Sequence, residues 1–303
     1  MRNILIVGLI ASLFFIGCKK DPSLICNPLP ESNVVSFGWN YKINSNYNSL
    51  PCFNPNNANE FVFVKQTGTT STICVFNMQT QVVTPVYITS VDYKVDWGIN
   101  NWILFDVSND IYKIKPNGDS LTRLTTGGIS CSPKWSPDAS KYIYYLFAGA
   151  GYNGTLVASS NGILTDSIYL GFGATSAWIN NTIVGGGSNE FIVYNTITHS
   201  QQIINYSDGN SSRSALCFIN SFAFIWADDS GIYVTNLQTN KTSKIKESCN
   251  AITYMFPSYS PQSNKVLWYK ITETPIDDNT LNVTNAIVMM NPDGSGEQEI
   301  SIP

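Results

Sequence analysis

Six times along this chain a short strand ends on an aromatic residue, turns, and gives way to a second strand of β-branched and aromatic residues. The fullest copy runs Ser132-Pro133-Lys134-Trp135-Ser136-Pro137-Asp138-Ala139-Ser140-Lys141-Tyr142-Ile143-Tyr144-Tyr145, with Ser-Pro-Asp supplying the turn. The aromatic anchors are Phe53, Trp97, Trp135, Trp178, Phe218 and Tyr259, spaced 44, 38, 43, 40 and 41 residues apart. A fixed period constrains a fold more tightly than composition does. A unit of about 41 residues cannot bury both its faces alone and must stack on neighbouring copies.

After each aromatic hairpin comes a third strand, as in Ile73-Cys74-Val75-Phe76, Ile111-Tyr112-Lys113-Ile114 and Phe191-Ile192-Val193-Tyr194. A turn and a fourth strand follow, seen best in Asn117-Gly118 before Leu121-Thr122-Arg123-Leu124 and in Asp293-Gly294 near the end. Asn-Gly and Asp-Gly tolerate the positive φ that tight hairpins require. Four short strands in about 41 residues is the arithmetic of a β-propeller blade. The expected fold is all-β, a six-bladed propeller of four-stranded antiparallel blades, with seven blades as the alternative. Blades are expected near 46–88, 89–126, 127–170, 171–206, 207–247 and 248–303, with Asn33 to Ile43 as a spare strand that closes or caps the ring. Closure matters because an open last blade exposes an unpaired edge.

The pairing of Trp135-Ser136-Pro137-Asp138 with a later Asp/Asn-Gly and Leu-Thr resembles the WD40-like repeats of TolB-type propellers, whose consensus runs Trp-Ser-Pro-Asp-Gly. The resemblance covers roughly Asn33 to Pro303. Its motifs are fullest around Trp135 and Tyr259 and sparse around Trp178 and Phe218, where Ile-Asn replaces Ser-Pro. Ala139 stands where the family has Gly. TolB carries an α/β domain ahead of its propeller for which this chain has no room, so the resemblance implies the fold and not the TolB role.

The start of the chain reads as an address. Arg2, the apolar run Ile4 to Ile16, and Gly17-Cys18 form a stretch too short to span a bilayer and match a secretory signal. Phe15-Ile16-Gly17-Cys18 resembles the lipobox of bacterial lipoproteins, which implies cleavage after residue 17 and lipidation of Cys18. Lys19, in place of an Asp after the lipidated Cys, implies the outer membrane by the same resemblance. The expected organisation is a signal peptide at 1–17, the lipidated Cys and tether at 18–32, and the propeller at 33–303. Six further cysteines, Cys26, Cys52, Cys74, Cys131, Cys217 and Cys249, allow 15 pairings, and none shows C-x-x-C spacing. Disulfides and buried free thiols both remain open.

Composition excludes several chemistries. Acids outnumber bases 21 to 17, so no nucleic-acid partner is expected. His199 is the only histidine, which rules out multi-His metal sites. It falls in a turn expected at the outer rim. No G-x-S-x-G elbow, P-loop or dinucleotide pattern occurs. No cofactor, metal or catalytic residue is assigned, and a monomer is expected.

In such a ring the loops between second and third strands share a face with the crossovers between blades. That face holds Tyr93, Asp106, Tyr152, Arg213, Asp228, Asp229 and Tyr254 as candidate binding residues, Tyr and Arg being favoured at hot spots. The insert Ile271 to Asn285, with Glu273, Asp277 and Asp278, is expected to be its largest loop. The functional expectation is a lipid-anchored, non-catalytic envelope scaffold for a protein, peptidoglycan or glycan partner. The alternative is a polysaccharide lyase or hydrolase using Asp, Arg and Tyr in the central channel, with the channel's character as discriminator.

Overall fold

Second strands such as Phe61-Val62-Phe63-Val64 and Ile103-Leu104-Phe105 are apolar at every position, the pattern of strands covered on both faces. The structure, a computed structural model, shows what covers them. It describes residues 40–43, 45–91, 94–147, 153–170, 176–186, 190–206, 215–228, 230–248, 251–277 and 280–303, with 40–43, 147, 153 and 277 as backbone only. Six antiparallel sheets of consecutive strands span Asn46–Ile88, Val95–Arg123, Ser130–Ile168, Ser176–Asn205, Cys217–Glu247 and Ile252–Glu299. These are six blades, each limit within ten residues of the one read from the repeat, and the described residues contain no helix.

The first strands line the axis: Asn46–Asn54, Val95–Trp97, Ser130–Trp135, Ser176–Ile179, Cys217–Asn220 and Ile252–Ser260. Buried side chains form six clusters, and each sits between two adjacent blades. Alternation along the second strands divides them. Val62 and Val64 face blade two while Phe61 and Phe63 face blade six; Phe224 and Trp226 face blade four while Ile225 and Ala227 face blade six. No blade therefore has a core of its own, which is why the period is obligatory.

The ring closes without a shared four-stranded blade. Asn40–Ile43, the described part of the spare strand, pairs in parallel with Thr280–Val283 of blade six, while Gln298 and Glu299 pair with Met289 and Val288 further along the same strand. Ile300 and Ile302 then pack against the Phe53, Phe61, Phe63 and Phe76 cluster. On the face of the first-to-second turns, side-chain amides stitch neighbours together: Asn56 to the Ile99 carbonyl at 3.1 Å, Asn100 to Ala139 at 3.2 Å, and Gln262 to Pro55 at 3.0 Å.

One expectation changes, and for four cysteines an open alternative is decided. The Ile271 to Asn285 insert is not a loop: Lys265–Asp277 and Thr280–Met290 run on as one long hairpin that projects past the end of the first strand, Thr272 lying opposite its first residue, Ile252. Its alternating Ile271, Glu273 and Leu281, Val283 already carried strand periodicity. The described cysteines Cys52, Cys74, Cys131 and Cys217 are unbridged, and Cys26 and Cys249 lie outside the described residues.

Candidate functional site

Along each inner strand the anchor side chain turns back toward the preceding blade, as successive side chains on a strand must alternate. Phe53 joins the cluster shared with blade six, Trp97 that with blade one, Trp135 that with blade two and Phe218 that with blade four. The residue before each anchor points the other way. Cys52 Sγ accepts from the Trp97 N–H at 3.4 Å, Asp96 Oδ2 from Trp135 at 2.8 Å, Cys217 Sγ from Tyr259 at 3.3 Å, and Ser258 Oγ from Phe53 at 3.0 Å. Four of six interfaces thus carry the same bond. The two other members of the ring, Lys134 and Ala177, have no acceptor. Lys134 instead donates back to Asp96 Oδ1 at 2.5 Å.

Blades one, three and six add a bulge at the same height. Leu50, Ser132 and Phe256 hold φ of 51°, 54° and 53°, each directly before a proline, and the ladder register shifts there. A non-glycine residue in the left-handed region costs on the order of 1–3 kcal/mol and persists only where its surroundings fix it. Asp106 fixes one: fully buried, it accepts from the Ser132 N–H at 2.9 Å and the Lys94 N–H at 3.0 Å. In sequence the bulge blades share Pro-x-aromatic-x-Pro, as in Pro51-Cys52-Phe53-Asn54-Pro55, Pro133 to Pro137 and Pro257 to Pro261. That motif was the available signal for the channel, and anchor spacing alone does not reveal it.

The channel narrows to a pocket with room for about one water, lined by Lys94, Asp96 and Lys134 with Cys52, Ser258 and Phe256. Burial alone would lower the Lys134 ammonium, but Asp96 beside it holds it above its ordinary value. Lys94 is pushed down by burial and by repulsion from Lys134. Burial and the nearby Asp96 carboxylate raise Cys52 to about 11, and burial likewise raises Cys217. Both thiols are protonated at neutral pH and poor nucleophiles.

Of the expected binding residues, three are described. Cys18, Tyr93, Tyr152, Arg213 and Asp229 are outside the described residues. Asp106, Asp228 and Tyr254 are buried. Asp228 accepts from the Ser230 N–H at 2.8 Å and the Gly231 N–H at 3.1 Å, closing its hairpin. Tyr254 donates to Glu297 at 2.7 Å, where Lys270 at 2.7 Å and Lys246 at 3.2 Å tie blade five to blade six. Burial raises Glu297, but those bonds bring it below its ordinary value. His199 is exposed at a turn, its Nδ1 2.6 Å from the Tyr194 hydroxyl. At the Ser136-Pro137-Asp138 turn, Ala139 takes φ 53°, which explains glycine at that place in the resembling repeats.

No family model and no curated protein matches the sequence. Solved structures do match. A protein described as TolB from Agrobacterium tumefaciens aligns with a TM-score of 0.57 at 16% identity, over 75% of this chain and 86% of its own. TolB from Acinetobacter baumannii gives 0.54 at 12% identity, over 79% and 67%. The β-propeller domain of the Trilobed protease from Pyrococcus furiosus, described as having an open velcro topology, gives 0.53 at 10%, over 85% and 98%. Identities this low speak for the fold alone. By architecture and by these likenesses, the chain is a six-bladed β-propeller with the fold of the TolB-type propellers.

Proposed function

We propose that the chain is a lipid-anchored scaffold of the cell envelope, tethered through Cys18 in the outer membrane, that binds a protein, peptidoglycan or glycan partner on the face carrying the second-to-third-strand loops. One observation carries the reading as scaffold: the carboxylates described at the channel are already engaged in holding the fold. Asp96 is shared between the Trp135 N–H and Lys134, and Asp106 between the backbones of Lys94 and Ser132. A lyase or hydrolase needs acids free to exchange protons beside a substrate-sized cleft. Asp96 and Asp106 are instead fixed by those bonds. The TolB likeness supports an envelope setting by analogy of fold.

The parallel pairing of Asn40 with Thr280 brings the incoming chain down along the projecting hairpin of blade six from its tip. That hairpin is a second-to-third-strand connection, so Asn40 lies on the side of the proposed binding face. Tyr93, Tyr152, Arg213 and Asp229 are its candidate contacts. The test places a photo-crosslinking residue at Tyr152 or Arg213, and separately at Phe222 on the opposite face, in cells making the full chain. Adducts of one defined partner at the first two positions only are expected. Adducts at Phe222 alone, or none anywhere, overturn the binding face. Independently, Cys18→Ala should release the protein from membranes; retention there overturns the anchor.

A further inference from the structure

The outer strand of a blade presents a row of unpaired backbone groups, which can pair with another chain unless something blocks them. Most outer edges of this ring are blocked. Gly118, Gly162 and Gly294 lie in the third-to-fourth-strand turns of blades two, three and six, so close to the preceding blade that a Cβ would fall 2.9 Å from the carbonyls of Val86, Leu124 and Ile245. Those turns pack on the outer edges of blades one, two and five. Val82–Ile88 of blade one also carries Pro85, and Lys241–Glu247 of blade five carries three lysines and a shift in register. Blade six fills its edge with Asn40–Ile43 and Gln298–Glu299. Leu164–Ile168 of blade three places Asp166 beside a register shift.

Gln201–Asn205 of blade four has none of these devices. It holds no charge and no proline, its ladder with Glu190 to Tyr194 runs without a shift, and among the described residues no strand lies on its other side. The Asn195 N–H donates to the Ser200 carbonyl at 3.0 Å, and the alternation of an antiparallel ladder from that pair turns the N–H and C=O of Gln201, Ile203 and Asn205 outward. Ile203, the middle one, is exposed. We propose that this edge pairs with the same edge of a second copy of the chain, antiparallel about a two-fold axis at Ile203, giving a weak dimer in place of the expected monomer. Gln201 then exchanges backbone hydrogen bonds with Asn205 of the second copy and Ile203 with its own counterpart, so every outward group of the strand is paired and the two Ile203 side chains cover each other. Neutrality commits the edge to its own copy: the strand turned round meets no like charge, whereas Lys241–Glu247 would face its own lysines. Five residues make a small contact beside a standard interface, which keeps the dimer weak.

Sedimentation equilibrium of the full chain over a wide concentration range tests this. A monomer–dimer equilibrium without larger species is expected, since a two-fold contact closes on itself. Ile203→Lys, at an exposed position that the fold tolerates, sets two ammonium groups together on the axis and should raise the dimer Kd at least about tenfold. Leu164→Lys, equally exposed on blade three, should leave it unchanged. Amide hydrogen exchange across 201–205 should slow as concentration rises, at Gln201, Ile203 and Asn205. A monomer at every concentration, whether or not another protein captures this edge, overturns the proposal. So does a dimer undiminished by Ile203→Lys, or one that forms without added protection at 201–205.

Discussion

Ser258 of blade six accepts a 3.0 Å hydrogen bond from the backbone N–H of Phe53 in blade one, 205 residues earlier, and with it the ring of inner strands is joined end to start. The same bond is made by Cys52, Asp96 and Cys217 at three other interfaces. Ser258→Ala leaves the Phe53 N–H buried and unpaired, a loss of about 1–3 kcal/mol in denaturant unfolding. Ser258→Cys should recover most of it, because thiols already fill this role at two interfaces. Equal losses in both variants would show that packing, not the bond, matters there.

Asp96 and Lys134 form a buried pair, so removing either partner alone strands the other. Asp96→Asn alone should destabilise by about 3–5 kcal/mol, while the double change Asp96→Asn with Lys134→Met should cost clearly less than the sum of the two single changes. A double-mutant cycle by chemical unfolding measures the coupling. Additivity within error would mean that the two side chains do not interact.

Glu297 and Asp110 are both held below the ordinary carboxylate range in the folded chain. For Asp110, burial works upward but is outweighed by hydrogen bonds from the Gly127 backbone, Arg123 and the Gly128 backbone. Depressed folded-state values mean that their stabilisation is full above the unfolded pKa, near 4, and is lost as pH falls through the folded one. Stability should therefore drop on acidification below about pH 4.5. Glu297→Gln should flatten that slope while leaving less stability at pH 7. A variant with an unchanged acid slope would remove Glu297 from the account.

Cys52 and Cys74 are raised to about 11, both by burial first, and Cys217 is raised for the same reason. With Cys18, Cys26 and Cys249 replaced by Ser, the native protein should not react with a thiol reagent at pH 8 within minutes, and guanidinium should release four thiols, the fourth being Cys131. Rapid native labelling of Cys52 would contradict its burial.

Tyr142 is fully buried and its hydroxyl has no hydrogen-bond partner among the described residues. Tyr142→Phe keeps the ring against Trp135 and removes an unsatisfied group, so Tm should hold or rise. A fall of several degrees would reveal a partner for the hydroxyl.

The blades were legible because each is built from contiguous sequence: apolar second strands, Asn-Gly and Asp-Gly turns, and one aromatic per period all lie within some 40 residues of one another. Asp106, Asp228 and Tyr254 read in the sequence as loop-face residues and are buried in the structure, for a related reason. A carboxylate at a strand end reads the same whether it faces solvent or caps backbone donors inside, and only the fold shows that Asp106 turns inward to the bulge at Ser132. The inner ring escaped notice because its members, Cys52, Asp96, Lys134, Ala177, Cys217 and Ser258, share a position and no chemistry. The recurring partner is the backbone of the next anchor, which any acceptor can serve.

Ile300 and Ile302 seal the last interface against Phe53 and Phe61, so segments far apart in the sequence complete the ring. Five interfaces join segments adjacent in the chain, whereas the sixth must bring together both ends, a slow search paid for in loop entropy. Until that happens two apolar blade faces stand open. Truncation by even four residues should accordingly hurt assembly out of proportion to the area lost, and the newly made chain has most need of protection from aggregation at that stage.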